Sequence, residues 1–277
     1  MKILEYLSET ENKYNEDYIG FGNNYAFILD GASGLVKNKI TLDSDAKWYV
    51  NELGKILKNE LKQNIDLKTI LKNSIKKMSD ELKKYDIQNY LELPSACIAI
   101  VREYDDNIEF LVMGDCSIII KNNNSLELLT TNEIRKLDGE KIEKMKEIDL
   151  KNNISVKESL KYIIDDLKAQ RKLRNNINGY YVLDDKIEAI DYAMYKIINK
   201  KDVDKIVLMS DGFSTYYECL KIVNNYKEFY EECMNNDVEK LYQNLRTIEK
   251  NDQDLNKFPR YKVSDDASII KIELEDK

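Results

Sequence analysis

The stretch SACIAIVREYDDNIEFLVMGDCSIIIK, residues 95–121, decides the fold class of this 277-residue chain. It holds three apolar runs rich in β-branched residues, at 95–101, 108–113 and 117–121, and each run predicts a strand. Turn-like segments separate the runs: Asp-Asp-Asn precedes the second run and Gly-Asp precedes the third, and neither connection has a helical pattern. Strands that follow one another in this way favour antiparallel sheets with helices packed outside them.

The rest of the chain repeats this grouping. YIGF (18–21) and YAFILD (25–30) predict a strand pair joined by a turn-like Gly-Asn-Asn segment. Helical patterns cover 42–62, 67–86, 132–148, 155–174 and most of 213–249, and two further strands are expected at 205–210 and 267–274. The grouping predicts an α+β fold rather than the strict strand–helix alternation of a doubly wound protein.

The composition is that of an ordinary globular protein. Hydrophobic residues make up 43% of the chain and charged residues 34%, with a mean hydropathy of −0.57. Two prolines and nine glycines leave no linker-like stretch, so a single domain over residues 1–277 is expected.

Histidine is absent, and this restricts the chemistry more than any other count. It excludes Ser-His-Asp and Cys-His nucleophile pairs, imidazole-bound zinc and a haem with a proximal histidine. Any reaction must therefore use carboxylates, Lys, Cys, Tyr, hydroxyl groups or oxygen-bound metal ions.

Charge and cysteine usage limit the partners and the compartment. The net charge is −8, and the lysines alternate with acidic residues, so no nucleic-acid partner is expected. The four cysteines lie far apart without a C-x-x-C pair, which predicts a reduced, cytoplasmic setting. No apolar run approaches 18 residues and the N-terminus has no apolar leader, so no membrane partner is expected either.

Acidic residues recur at the ends of predicted strands, and they are the main candidates for chemistry. Five such places are present: Glu16-Asp17, Asp30-Gly31, Gly114-Asp115, Asp211-Gly212 and Asp265-Asp266. Converging carboxylates repel one another unless cations lie among them, and Mg²⁺ or Mn²⁺ prefer oxygen ligands. Asp-Gly is also a common turn signal, and Asp138-Gly139 is interpreted only as a turn. Composition alone does not separate a metal hydrolase from a calcium-stabilised binding domain.

The order of these motifs adds a family resemblance. The motifs are NED (15–17), FILDGASG (27–34), PSACIAIV (94–101), MGDC (113–116), VLMSDGF (207–213) and SDDASIIKI (264–272). Together they resemble the metal-dependent serine/threonine protein phosphatases of type 2C (PPM), over residues 15–272. The segment RKLRNNINGYYVL (171–183) is similar to the bacterial branch. The resemblance implies a four-layer α-β-β-α sandwich of two antiparallel sheets flanked by helices.

The resemblance also implies a set of metal ligands for two Mn²⁺ or Mg²⁺ ions. Asp30 would bridge the two ions, and Gly31 would offer its backbone carbonyl to one of them. Asp211 and Asp265 would hold the other ion, and Glu16 would be the remaining direct acidic ligand.

Three more acidic residues have implied roles around these ligands. Asp17 would bind metal-bound water, and Asp115 would support a third, weaker metal together with Asp211. Asp266 is expected to lie behind the ligands, since many relatives have Asn there.

The implied activity is metal-dependent hydrolysis of phosphoserine and phosphothreonine in proteins, with Asp30, Asp211 and Asp265 as the catalytic carboxylates. A water molecule bridging the two ions would attack phosphorus in line. The expected partner is a phosphorylated protein, either a bacterial serine/threonine kinase or one of its targets.

Two positions depart from the family pattern. Many relatives have a phosphate-binding Arg four residues before the Glu of the first motif, where this chain has Asn12. The adjacent Lys13 is the candidate replacement, although Lys binds phosphate only as a point charge. Ala32 stands where eukaryotic relatives often have a His that protonates the leaving group.

These departures leave an alternative function open, a catalytically weak or inactive relative that acts as a regulatory binding module. Retention of Asp30, Asp211 and Asp265 argues against it, because a binding domain has no physical need for three mutually repelling carboxylates. Hydrolysis of another phosphorylated small molecule is a further alternative. Arg171 and Arg174 lie in a region that forms a mobile flap in relatives; they could contact a phosphopeptide, but surface salt bridges on a helix are the favoured interpretation. The aromatic residues of 213–249 could form a partner surface, but their helical spacing favours a place in the core.

Overall fold

The structure is a computed structural model that describes residues 1–35, 40–123 and 125–274. It contains two five-stranded sheets in which all paired strands are antiparallel. In chain order the strands are β1 (Lys2–Glu9), β2 (Asp17–Phe21), β3 (Tyr25–Ala32), β4 (Ser95–Tyr104), β5 (Asn107–Met113), β6 (Ser117–Asn122), β7 (Ser125–Thr130), β8 (Met194–Asn199), β9 (Val203–Met209) and β10 (Ala267–Glu273). Sheet I has the order β2-β3-β4-β5-β8, and sheet II has the order β1-β10-β9-β6-β7.

The decisive stretch 95–121 crosses from one sheet to the other. β4 and β5 pair in sheet I, whereas β6 pairs with β7 and β9 in sheet II. The crossing occurs at Gly114, whose φ of +76° is in the left-handed region. A Cβ at Gly114 would lie 2.2 Å from the Cys97 sulfur, so only glycine fits at this position. The residue that follows, Asp115, is therefore placed at the end of the sandwich between the two sheets.

Helices cover the outer face of each sheet. α1 (Asp45–Glu60) and α2 (Leu67–Leu82) pack against sheet I, and α6 (Asp211–Glu218), α7 (Tyr226–Asn235) and α8 (Val238–Lys250) pack against sheet II. Three further helices, α3 (Glu133–Asn152), α4 (Val156–Ser159) and α5 (Ile164–Arg171), lie together beyond the sheets, and 3₁₀ turns span Leu160–Tyr162, Ile187–Tyr192 and Lys200–Asp202. The predicted α+β sandwich with helices on both faces is confirmed.

Alternation along the strands supplies three apolar layers. In β3, Ile28 faces the core between the sheets, and Phe27 and Leu29 face α1 and α2. All three side chains are fully buried, and each contributes about 1.5–3 kcal/mol through its burial. The third layer lies between sheet II and α6–α8 and contains Phe213, Tyr216, Phe229 and Tyr242, as predicted for the aromatic residues of 213–249.

The structure differs from the sequence predictions in three strands and in one helix. β1, β7 and β8 were not predicted, and each is an outermost strand of its sheet with partly exposed, mixed polar and apolar residues. The helix predicted over 155–174 is divided into α4, a 3₁₀ turn and α5.

The helices α3, α4 and α5 have a small apolar core of their own. It is formed by Met145, Val156 and Ile163, together with Leu255 from the segment that follows α8. The Val156 backbone N–H also donates to the Asn256 side chain at 3.0 Å. These contacts fix the three helices to the body of the protein beside the acidic end of the sheets.

Within residues 1–35, 40–123 and 125–274, none of the helices has both the length and the apolar character needed to cross a bilayer.

Candidate metal centre and active-site cleft

Three carboxylates from distant parts of the chain converge at one end of the sandwich. Asp30 lies near the end of β3, Asp115 lies at the crossing between the sheets, and Asp211 begins α6 directly after β9. Each offers one oxygen, and these oxygens all lie within 4.8 Å of one another. All three aspartates were predicted as site residues from the sequence, and the fold brings them together.

The glycines that follow two of these aspartates allow close backbone approach. A Cβ at Gly212 would lie 1.9 Å from the Asp266 carbonyl oxygen, so a side chain there would separate two acidic motifs. A Cβ at Gly31 would lie 2.6 Å from the Glu16 carbonyl oxygen, which accepts the Gly31 N–H at 3.1 Å. Neither Asp-Gly pair forms a hairpin turn, because Gly31 is still within β3 and Gly212 is within α6.

Two further predicted ligands line the same cleft. The Asp265 carboxylate accepts from the Lys262 ammonium at 2.6 Å and from the Asp266 backbone N–H at 2.9 Å. The Glu16 carboxylate accepts from the hydroxyls of Ser33 and Ser44, at 3.2 and 2.5 Å. Hydrogen bonds therefore hold both carboxylates in defined positions.

Asp17 and Asp266 lie behind these residues. Asp17 faces Asp30 in the β2–β3 register and accepts from the Ser210 hydroxyl at 2.8 Å. Burial raises the pKa of Asp17 to about 7, although the serine hydroxyls oppose this. The Asp266 carboxylate accepts from the Thr10 hydroxyl and, at 2.7 Å, from the Glu16 backbone N–H, so it connects the last acidic motif to the first.

The electrostatics of the cluster favour a bound cation. Burial, followed by the charges of neighbouring carboxylates, raises the pKa of Asp30 and of Asp211 well above the ordinary value. Ionised carboxylates this close together are stable only with positive charge between them, and the donors here are all oxygen atoms. This donor set fits Mg²⁺ or Mn²⁺.

The cysteines near the cluster are not suited to nucleophilic catalysis. Burial raises the pKa of Cys97 and of Cys116 well above the ordinary value, and nearby aspartates raise it further. Their thiolates are therefore disfavoured, and both side chains contribute to the core between the sheets.

The acidic cluster forms the floor of a cleft of about 480 Å³, and α5 supplies one wall. Asp138 also lines it, which corrects its interpretation as a turn residue, because it lies inside α3. It accepts from the Gln170 amide at 2.6 Å, and burial raises its pKa to about 6. The sequence does not reveal this place in the cleft, because it depends on how α3 packs and not on the local Asp-Gly pair.

Arg171 lies in the cleft and not in a surface salt bridge. Its guanidinium donates to the Ser95 hydroxyl and to the Ser33 carbonyl oxygen, both at 3.3 Å. No carboxylate in the described part of the chain pairs with it, and burial lowers its pKa. A guanidinium in this setting is free to bind an anion in the cleft.

Arg174 also differs from its interpretation as a surface residue. It is fully buried, pairs with Asp184 at 3.3 Å and lies 4.1 Å from the centre of the Tyr90 ring. Its place is structural, because it also donates to the carbonyl oxygens of Tyr90 and Leu93 in the segment that precedes β4.

Lys13 and Asn12 lie away from the cleft lining. Lys13 extends over the Tyr14 ring, with its nitrogen 4.7 Å from the ring centre, and is exposed. The Asn12 amide is 3.4 Å from both the Ser264 carbonyl oxygen and the Asp266 carboxylate. Among the described residues, the cations that line the cleft are Arg171 and Lys262. From the sequence, contact of Arg171 with a phosphopeptide was the less favoured interpretation, and Lys262 was not proposed as a phosphate ligand.

Comparisons with known proteins agree with this arrangement. Residues 8–258 match the family model of Protein phosphatase 2C. Serine/threonine phosphatase Stp1 from Staphylococcus aureus is 16% identical, with a TM-score of 0.57 over 100% of this chain and 96% of that chain. The serine/threonine phosphatase PstP/Ppp from Mycobacterium tuberculosis is 11% identical, with a TM-score of 0.55 over 99% and 100%.

The catalytic domain of PstP, solved in complex with two manganese ions, is 13% identical, with a TM-score of 0.53 over 99% of both chains. The comparison with curated protein sequences gives no match. At these identities the solved structures establish a shared fold, and the family match extends over most of the sequence. The chain belongs to the protein phosphatase 2C family.

Proposed function

We propose that this protein is a metal-dependent serine/threonine protein phosphatase that hydrolyses phosphomonoesters with a binuclear Mn²⁺ or Mg²⁺ centre. The observation that carries the proposal is the convergence of Asp30, Asp115 and Asp211 on the floor of a cleft. The printed descriptions of Stp1 and PstP as serine/threonine phosphatases support the substrate class. The partner would be a phosphorylated protein, a bacterial serine/threonine kinase or one of its targets.

The direct ligands would be those that line the cleft. Asp30 would lie between the two ions, with the Gly31 carbonyl beside it. Asp211 and Asp265 would hold one ion, and the Glu16 carboxylate, fixed by its hydroxyl partners, would complete the set. For Asp265 to serve as a ligand, its ion pair with Lys262 would have to lengthen, or its carboxylate would have to contact both Lys262 and the metal ion.

Two aspartates would support these ligands. Asp17 is held by Ser210 behind Asp30 and suits a role in fixing water at the centre. Asp115 lies close enough to Asp211 to hold a third, weaker ion with it.

When bound, the ions would supply activation of water and neutralise negative charge on the phosphoryl group. The chain itself would orient the substrate. Arg171 and Lys262 stand beside the acidic floor, and the phosphate oxygens of a monoester match the donors of a guanidinium and an ammonium. Ala32 offers no proton, so the leaving alkoxide would take its proton from water.

The proposal is tested by phosphate release from matched phosphoserine, phosphothreonine and phosphotyrosine peptides in Mn²⁺. We expect the first two to be hydrolysed and Asp30→Asn to reduce the rate at least about a hundredfold. The exposed Asp185→Asn is the matched control, and it should keep the wild-type rate. Equal rates for Asp30→Asn and the wild type would refute the assigned site.

One observation favours a second candidate, a regulatory binding module. The Asn12 amide is engaged with the last acidic motif and offers no cation where many relatives have Arg. If the protein binds phosphopeptides in the presence of Mn²⁺ but releases no phosphate from any of them, the binding module replaces the enzyme.

A further inference from the structure

A second groove, of about 450 Å³, lies next to the cleft on the α4–α5 side. Its floor is apolar and includes Leu35, Leu160, Ile164 and Leu167. Leu35, Leu160 and Leu167 also line the cleft, so the two depressions are continuous. A segment whose phosphorylated residue enters the cleft would therefore run directly into this groove.

Three lysines surround the groove in a chain whose net charge is −8. Within the described residues, neither Lys157 nor Lys161 has a carboxylate at salt-bridge distance, although Lys161 is close enough to Glu158 to lower the pKa of that carboxyl. Lys168 pairs at 3.3 Å with the exposed Asp165. Glu158, the acidic residue among the described residues of the lining, accepts from the backbone N–H and hydroxyl of Ser155 as part of a capping box. Three lysines against the single carboxylate of Glu158 leave the described lining of the groove with a net positive charge, which complements an acidic ligand.

The groove is preformed. α4 is capped by Ser155, and Val156 and Ile163 on either side of the 3₁₀ turn are anchored in the small core with Met145 and Leu255. Ile164 nevertheless remains 47% exposed beside the lysines. An apolar floor with a cationic rim is a surface that an apolar side chain flanked by acidic residues would cover.

We infer that this groove binds the segment next to the phosphorylated residue and selects substrates with an apolar residue and acidic residues there. The inference rests on the proposed phosphatase function and names its substrate class. A strand advances about 3.3 Å per residue, so the groove takes residues within a few positions of the phosphorylated one. The apolar side chain packs between Leu160 and Ile164, and the carboxylates pair with Lys157 and Lys161.

The test uses four phosphothreonine peptides of equal length. Two carry Leu-Glu-Glu or Leu-Lys-Lys before the phosphorylated residue, and the other two carry the same segments after it. For one of the two sides, we expect kcat/KM of the acidic peptide to exceed that of the basic peptide at least about tenfold. Lys157→Glu/Lys161→Glu should abolish this preference and leave p-nitrophenyl phosphate hydrolysis unchanged. The double variant Lys227→Glu/Lys240→Glu, on α7 and α8, makes the same change in net charge and should keep the preference.

A second readout separates this inference from the phosphatase activity. Fluorescence anisotropy of the labelled, unphosphorylated peptides with the Mn²⁺-loaded protein measures binding to the groove without turnover. A preference for the acidic peptide that Lys157→Glu/Lys161→Glu removes supports the groove even if no phosphate is released. Equal hydrolysis and equal binding of acidic and basic peptides, or equal loss in both double variants, overturns the inference and leaves the phosphatase proposal standing.

Discussion

Replacing Arg171 with alanine should reduce phosphate recognition without unfolding the protein. Its guanidinium has only two hydrogen bonds, both at 3.3 Å, and no carboxylate partner among the described residues. The loss to the fold is therefore small, whereas a phosphate dianion in the cleft would lose its strongest donor.

The expected magnitude follows from the charge on both groups. Hydrogen bonds that involve charged groups contribute about 1.5–3 kcal/mol, which corresponds to a loss of about 10- to 100-fold in kcat/KM. Because Arg171 would contact phosphate before and during the reaction, much of the loss should be in KM. Arg171→Lys keeps the positive charge but loses the paired donors of the planar guanidinium, so its kcat/KM should lie between those of wild type and Arg171→Ala.

The assay is p-nitrophenyl phosphate hydrolysis in Mn²⁺, with inhibition by inorganic phosphate as a measure of binding. Lys172→Ala is the matched control, because it removes the same charge from the exposed neighbouring position. For Arg171→Ala, the inhibition constant of phosphate should rise with KM. If KM, kcat and the inhibition constant all stay within about twofold of wild type, Arg171 does not bind the phosphate group.

Three further predictions concern the site and its support. Gly212→Ala should destabilise the protein by about 1–3 kcal/mol and reduce activity, because its Cβ would lie 1.9 Å from a backbone oxygen, whereas Gly139→Ala, in open space on α3, should stabilise it by about 0.5–1 kcal/mol. Equal urea midpoints for the two variants would contradict this. Arg174→Ala should lower the free energy of unfolding by about 3–5 kcal/mol, because the buried Asp184 loses its partner; a loss below about 1 kcal/mol would contradict the buried pair. The pKa of Asp138 is raised to about 6, so the folded state holds this proton more tightly and stability falls as pH rises. Between pH 5 and 7, the free energy of unfolding measured in urea should fall by about 1 kcal/mol more in wild type than in Asp138→Asn. Equal falls in the two proteins would contradict this prediction.

The parts of the fold that the sequence predicts well are those with strong local patterns. The apolar runs at 95–101, 108–113 and 117–121 are buried on both faces, and their continuous hydrophobic character is visible without the structure. The outermost strands β1 and β8 carry charged residues among apolar ones, because one side of each faces solvent. Their pairing depends on a neighbouring strand that is remote in sequence, so local patterns do not identify them.

The same distinction applies to the site. Asp30 lies near the end of an apolar strand, and Asp115 and Asp211 each come two residues after the end of one. The ends of stiff buried strands are where side chains can converge. Arg171 and Asp138 enter the cleft only because the small core around Met145 places α3 and α5 over the acidic cluster. Their surroundings are set by helix packing, and the charge pattern of an isolated helix resembles that of any solvated one.

The central claim is that the acidic cluster is a metal centre for phosphate ester hydrolysis. The most direct test strips the protein with EDTA, titrates it with Mn²⁺ and follows p-nitrophenyl phosphate hydrolysis by wild type, Asp30→Asn and Asp211→Asn. We predict that activity is absent after EDTA, appears with Mn²⁺ and falls at least about a hundredfold in both variants. Activity that survives EDTA, or that either variant retains in full, would contradict the claim.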